Sequence, residues 1–297
     1  MMIDIYDFGR RCDFSAEAIS FLQEASSLLQ TNDTAESVFL TCKAQLFAEK
    51  CGYWEALDKL AEQVGLHPFV VHHLFLIFCA EETRQLYERA GFSDNLYWDA
   101  MKDLKYKMEE TYQLYGVWGV YCGWWLDGFL KMKCFCLGRL QFEIVPSEVR
   151  YALAGYKLNV QDPVINVHIP SFGRLGYEDV LTSYKKAASF FGHIFPDKVV
   201  WFQCETWMLY SPVNALLPEG NIKRFTDDFD VIRTYVNPGH DDRYRVFQMD
   251  NSIPVSDYPE TTALQRNLKA WLLDGNTMGI GIGVFLWENE RIVNSGR

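Results

Sequence analysis

The periodicity of this chain changes once, and that change limits what it can fold into. Up to about residue 118 the apolar residues recur at helical spacing; beyond it they alternate or cluster in short β-branched and aromatic runs. In "FSAEAISFLQEASSLLQ", Ala16, Ile19, Phe21, Leu22, Ala25, Leu28 and Leu29 follow Ser15, whose hydroxyl suits an N-cap. "DTAESVFLTCKAQLFAEK" repeats the pattern, and "YWEALDKLAEQVG" ends on the C-cap residue Gly65. "HPFVVHHLFLIFCAEETRQLYERAG" carries Pro68 in its first turn and stops at Gly91. "SDNLYWDAMKDLKYKMEETYQLYG" runs from Ser93 to Gly116. Five helices with short connections predict a helical domain over residues 1–118.

Residues 119–297 predict a mixed α/β domain, so the fold class is α+β. "KCFCLGRLQFEIV", "VRYALAGYKLNV", "PVINVHI" and "DKVVWFQCETWML" read as strands. A helix from about Glu178 to Gly192 separates the last two, and another follows around Pro212–Phe229. A strand at "FDVIRTYV", a helix at "TTALQRNLKAWLLDG" and a strand at "GIGIGVFLW" complete the order. That last strand is apolar enough to pair across subunits.

Composition excludes several functions. A net charge of -11 disfavours nucleic acid, which needs a basic face. The longest apolar runs fall short of the roughly 18 residues needed to span a bilayer, so no membrane span is expected. The eight cysteines include no CxxC pair, and the first residues lack an apolar signal core; a cytoplasmic protein with reduced thiols is expected. Cys134 and Cys136 lack a second pair or a nearby histidine, so no metal site is expected. Trp124 and Trp125 are candidates for sealing the two domains together or for lining a pocket for an apolar group.

Alternation collects polar residues on strand faces. Arg139, Gln141 and Glu143 share one parity; so do Asn166 and His168, and Gln203 and Glu205, with Cys204 opposed to the last pair. The strands holding Asn166/His168 and Gln203/Glu205 flank a crossover helix and are expected to be central, parallel and covered on both faces. Polar groups there need partners or a chemical role.

"NVHIPSFGRLGYEDVLTSYKKAASFF" reads as strand, glycine turn and helix. A helix start offers unpaired N–H groups and a positive dipole end, and Gly173 and Gly176 let backbone approach a phosphate closely. Arg174 can pair with phosphate, while Glu178 and Asp179 occupy the first helical turn.

Together "GRLQFE", this stretch, "FQCETWML" and "LLPEGNIKRFTDDF" resemble a bacterial family of predicted acyltransferases. The family joins a helical N-acyltransferase amino-terminal domain to a GNAT-like carboxy-terminal domain. The resemblance implies transfer of an acyl group from acyl-coenzyme A, as co-substrate, to a small-molecule or peptide amine by direct attack on the thioester. It makes Ile169, Ser171, Gly173, Arg174 and Gly176 candidates for holding coenzyme A. His168, Glu143 and Glu205 are the candidate bases, and Tyr210 is the candidate acid. Gly173 and Gly176 stand three apart, which departs from the GNAT loop pattern. Cys204-Glu205-Thr206-Trp207 stands where relatives have Cys-His-Ser-Trp. These departures keep open a non-catalytic binding or scaffolding module on the same fold. A Cys204 nucleophile is a third reading, opposed by its facing away from His168 and Glu205.

Overall fold

In the computed structural model, which describes residues 4–195, 198–236 and 242–296, the helical pattern becomes seven helices. They are α1 (Ile5–Arg11), α2 (Ala16–Gln30), α3 (Ala35–Phe47), α4 (Tyr53–Val64), α5 (Pro68–Arg89), α6 (Asp94–Tyr115) and α7 (Gly123–Leu130). Ser15 and Ser93 cap α2 and α6 by accepting from the N–H groups of Ala18 and Leu96. Gly65 and Gly116 close α4 and α6. Helix α5 is the core element: Val71, Leu74, Phe75, Leu76 and Cys79 are fully buried. Each large apolar side chain so placed contributes about 1.5–3 kcal/mol of transfer free energy. Helices α1 and α7 went unread in the sequence because seven and eight residues are too few for a clear period. The chain divides into two compact units, Met1–Phe135 and Cys136–Arg297, so α7 belongs to the first. The Trp125 indole donates to Asp103 within that unit at 3.0 Å, and Trp124 is 67% exposed.

The second unit is organised by a mixed sheet. Its strands, with β1 (Cys134–Cys136) at the junction, are β2 (Gln141–Pro146), β5 (Pro163–His168), β6 (Val200–Thr206), β7 (Asp230–Tyr235), β8 (Ile280–Glu288) and β9 (Arg291–Val293). A separate hairpin pairs β3 (Tyr151–Leu153) with β4 (Tyr156–Leu158). The helices are α8 (Tyr177–Phe190), α9 (Ser211–Asn214), α10 (Asn221–Thr226), α11 (Arg243–Phe247) and α12 (Ala263–Leu273). Sheet order is β1-β2-β5-β6-β8-β7, with β9 on the end of β8. β5 and β6 are parallel, joined by the α8 crossover; β2–β5, β6–β8 and β7–β8 are antiparallel.

Several sequence expectations change here. "KCFCLGRLQFEIV" is two strands, because the chain turns at Gly138 and Arg139. "VRYALAGYKLNV" is the β3–β4 hairpin, bent at Ala154 and Gly155. The helix expected around Pro212–Phe229 is two short ones, interrupted near Pro218 and Gly220. β8 is paired by β6 along one edge and by β7 and β9 along the other, so its edges are already used.

The two faces of the sheet differ. Tyr184 of α8 closes one face over Phe142, Phe202, Phe285 and Trp287; Phe202 and Phe285 stack at 4.8 Å. On the other face Val164, Trp201, Ile282, Val284 and Leu286 pack with Leu158 of the hairpin. Hydroxyls of Tyr151 and Tyr156 tie that hairpin down by donating to Asp230 and Glu288. A bare stripe on the α8 side of β8 receives the chain leaving β6. A Cβ on Gly281 would fall 2.1 Å from the Leu209 carbonyl oxygen, and one on Gly283 would fall 2.9 Å from its side chain.

Candidate functional site

The parallel pair at the centre of the sheet comes apart. β5 and β6 share only the positions Ile165–Phe202 and Asn166–Gln203. Each continues to pair with its outer neighbour: β5 with β2 to His168, and β6 with β8 to Thr206. Beyond Asn166 and Gln203 the sheet therefore opens between its two middle strands.

Register assembles the polar residues beside this opening. Gln141 faces His168 and Glu143 faces Asn166 across β2 and β5, and Asn166 faces Gln203 across β5 and β6. All stand on the face away from α8, since their neighbours Phe142 and Phe202 point into the aromatic layer. The His168 Nε2 lies 2.7 Å from Glu143 Oε1, and the Asn166 amide nitrogen lies 3.3 Å from that oxygen. A carboxylate only accepts, so His168 Nε2–H is the donor and Nδ1 is the basic nitrogen of the neutral ring. The 3.1 Å approach of Asn166 Nδ2 to His168 Nε2 then brings two donors together and is not a hydrogen bond. The sequence suggested full cover for these groups. The structure leaves His168 and Glu143 only partly buried, with side chains 22% and 28% exposed, because the sheet opens beside them.

Glu205 lies on the same face, exposed, and accepts from the Tyr235 hydroxyl of β7. Burial, then the bond to Glu205, pushes the Tyr235 phenol up to about 12. It therefore stays protonated and holds the carboxylate in place. The sequence reading missed Tyr235, although Arg233 and Tyr235 alternate in "FDVIRTYV" as the other polar pairs do. Cys204 points the other way: it is fully buried, and burial pushes its thiol far above the ordinary range. That environment argues against a thiolate nucleophile. Tyr210 is half-buried beyond the turn Trp207–Leu209, with its ring beside Gly279, where a Cβ would lie 2.7 Å from a ring carbon.

At the far end of β5 come Ile169, half-buried, and the turn 170–176. Ser171, Gly173 and Arg174 are exposed. Of the two glycines only Gly173 has positive φ, at 65°, where a side chain would be strained. Gly176 has φ -65° and is the N-cap of α8; a Cβ there would lie 2.6 Å from an oxygen of Asp179. The backbone N–H groups of Gly173, Arg174, Leu175 and Gly176 have no hydrogen-bond acceptor among the described residues. Arg139 reaches this turn from the β1–β2 connection. Its Nε donates to the Arg174 carbonyl at 3.0 Å, and its NH2 group donates to the carbonyls of Pro170 and Gly173 at 3.1 and 3.3 Å. The start of α8 is fixed by Tyr177, which donates to Asp228 at 2.6 Å beneath the Arg224 guanidinium.

Among the described residues no group of three or more His, Cys, Asp or Glu side chains is placed to hold a metal ion. No single described helix is long and apolar enough to cross a membrane.

The N-acyltransferase N-terminal domain profile matches residues 3–132, and the GNAT-like C-terminal domain profile matches residues 134–285. The chain belongs to this N-acyltransferase family. No curated protein matches it. Among solved structures, this N-acyltransferase family member is similar to an acyltransferase in complex with decanoyl-CoA and teicoplanin, at 20% identity and TM-score 0.73, covering 95% of this chain and 87% of that one. It is similar over the same shares to an acyltransferase mutant in complex with octanoyl-CoA, at 18% identity and TM-score 0.74. A third, an acyltransferase in complex with CoA and 10C-teicoplanin, has 18% identity and TM-score 0.63, covering 95% of this chain and 98% of the other. At these identities the likeness speaks for the fold: a helical region followed by a GNAT-like mixed sheet.

Proposed function

We propose that this protein transfers an acyl group from acyl-coenzyme A to the amine of a small molecule or peptide. The observation that carries the reading is the opening between β5 and β6, with the His168–Glu143 pair at one side and a run of unpartnered amides at the end of β5. Acyl-CoA complexes of similar structures support a fatty acyl donor, and teicoplanin in two of them supports a peptide-like acceptor.

In this reading Gly173, Arg174 and Gly176, with Ile169 and Ser171 beside them, hold the phosphate end of the donor through backbone N–H groups. His168 takes a proton from the amine at Nδ1 while Glu143 fixes the ring by accepting from Nε2. The amine nitrogen attacks the thioester carbonyl carbon, the C–N bond forms, and the C–S bond breaks. The departing thiolate receives a proton from Tyr210, beyond the end of β6, and the second proton that the nitrogen gives up as the amide forms restores the phenol. Glu205, steadied by Tyr235, attracts the cationic amine before deprotonation. Glu178 and Asp179 at the start of α8 oppose an anion there and favour the second reading, a non-catalytic module.

Calorimetric titration with decanoyl-CoA separates the two, with Gly176→Asp as control because it sets a second carboxylate against Asp179. Micromolar binding that is lost in the variant supports the transferase. No binding by either protein at millimolar ligand would leave the non-catalytic module as the better account.

A further inference from the structure

We infer that Arg139 is a positioning residue for the acyl donor: it acts by orienting the amides of the turn 170–176, not by touching phosphate itself. The inference rests on the acyl-CoA reading above. Arg139 sits 31 to 35 residues before its partners, in a different connection, yet its Nε and NH2 groups donate to three carbonyls of this one turn. Its own position is set from the other side. Its backbone N–H donates to the Ser183 hydroxyl of α8 at 2.8 Å, and that hydroxyl donates to the Asp179 carbonyl at 2.7 Å. The guanidinium also lies 5.0 Å from the Phe172 ring centroid.

A trans peptide is planar, so the carbonyl of one residue and the N–H of the next point in opposite directions. Holding the carbonyls of Pro170, Gly173 and Arg174 toward Arg139 therefore turns the N–H groups of Ser171, Arg174 and Leu175 away from it. Arg174 and Leu175 are two of the four consecutive residues whose N–H groups lack an acceptor. A glycine-rich loop needs glycine so that successive amides can converge on one anion. Here only Gly173 has the left-handed conformation. The fork of Arg139 supplies the remaining constraint from outside the loop, because a planar guanidinium can address several acceptors in fixed directions. The ligand chemistry is that of a phosphate ester or pyrophosphate. In this inference Arg139 serves that anion by orienting the amides of the turn.

The test compares wild type, Arg139→Lys and Arg139→Ala as full-length proteins. Binding of decanoyl-CoA is measured by calorimetry, and acyl transfer is measured with decanoyl-CoA and with S-decanoyl-pantetheine, which has no phosphate. We expect Arg139→Ala to weaken CoA binding by about tenfold or more, the scale of lost hydrogen bonds to a charged group. Arg139→Lys should not restore it, since one ammonium cannot span three carbonyls. The kcat/KM for S-decanoyl-pantetheine should be the same in all three proteins, a result that a general loss of structure would not produce. Full rescue by Lys would mean that charge alone matters and would overturn the inference. So would equal loss with both donors, or unchanged CoA affinity in Arg139→Ala. If Arg139→Ala does not fold, amide exchange of wild type decides: protection of residues 173–176 on adding CoA supports an oriented amide array, and unchanged exchange there overturns it. Absence of CoA binding by wild type is a separate result that overturns the acyl-CoA reading, and this inference with it.

Discussion

β2, β5 and β6 build two faces from the same three strands, and the two faces behave oppositely. On the α8 side, Phe142, Phe202, Phe285 and Tyr184 interlock and exclude water. On the other, Glu143, Asn166, His168, Gln203 and Glu205 form a polar row beside the parted strands. One step along β6 separates the fully buried Cys204 from the exposed Glu205. Position on the pleat therefore decides which group can react: a thiol on the dry face is silent, and an imidazole on the open face has a carboxylate partner and access. The helical unit repeats the dry case in His73, which is fully buried with both ring nitrogens unpartnered. Burial alone lowers its pKa to about 3.

Breaking the polar face should have the largest effect. His168→Ala is expected to lower kcat by about 10²–10⁴ with the thermal midpoint nearly unchanged, the range of a lost general base. Steady-state kinetics beside a melting curve checks it, and a kcat close to wild type would remove His168 from the reaction. Breaking the dry face should act on folding: Phe202→Ala is expected to cost about 3–5 kcal/mol of stability, read by urea unfolding. A loss of that size confined to kcat, with stability intact, would erase the distinction between the faces.

Acid should expose the silent histidine. The folded state keeps His73 neutral down to about pH 3, whereas the unfolded chain takes up that proton near pH 6.5. Stability is thus complete above about pH 6.5 and falls by about 1.4 kcal/mol per unit as the pH drops toward 3. His73→Leu should flatten that slope, and an unchanged slope would assign it to other groups. The smallest effect belongs to Cys204→Ala, which should leave acyl transfer within about twofold of wild type. A much larger fall would bring a thiol into the chemistry.

Alternation alone separated the members of the polar row from their apolar neighbours, and the strand–turn–helix stretch was visible for the same reason. Which strands neighbour one another was not legible. Glu143 meets His168 only because β2 pairs antiparallel to β5, a long-range register that no local pattern encodes. Arg139 shows the limit sharply. Its spacing to Gln141 and Glu143 placed it on a strand face, but the strand begins at Gln141 and Arg139 turns instead toward carbonyls more than thirty residues away. The β3–β4 hairpin looks like one strand in the sequence because Tyr151–Leu153 and Tyr156–Leu158 have the same β character on both sides of a two-residue bend.

The glycine stripe of β8 bears on how such a site can diverge. The chain leaving β6 lies so close to Gly281 that even a methyl group would meet the Leu209 carbonyl. Tyr210 is therefore set by a contact that tolerates no side chain at all, and its position cannot drift by small substitutions beneath it. On the opposite edge of the opening the glycines of the turn are also constrained, but Ser171 and Arg174 present exposed side chains. Descendants of this sequence have one wall of the cleft effectively frozen at Gly281, whereas the exposed side chains of the other can change, so new donor preferences should arise in the turn after β5 first.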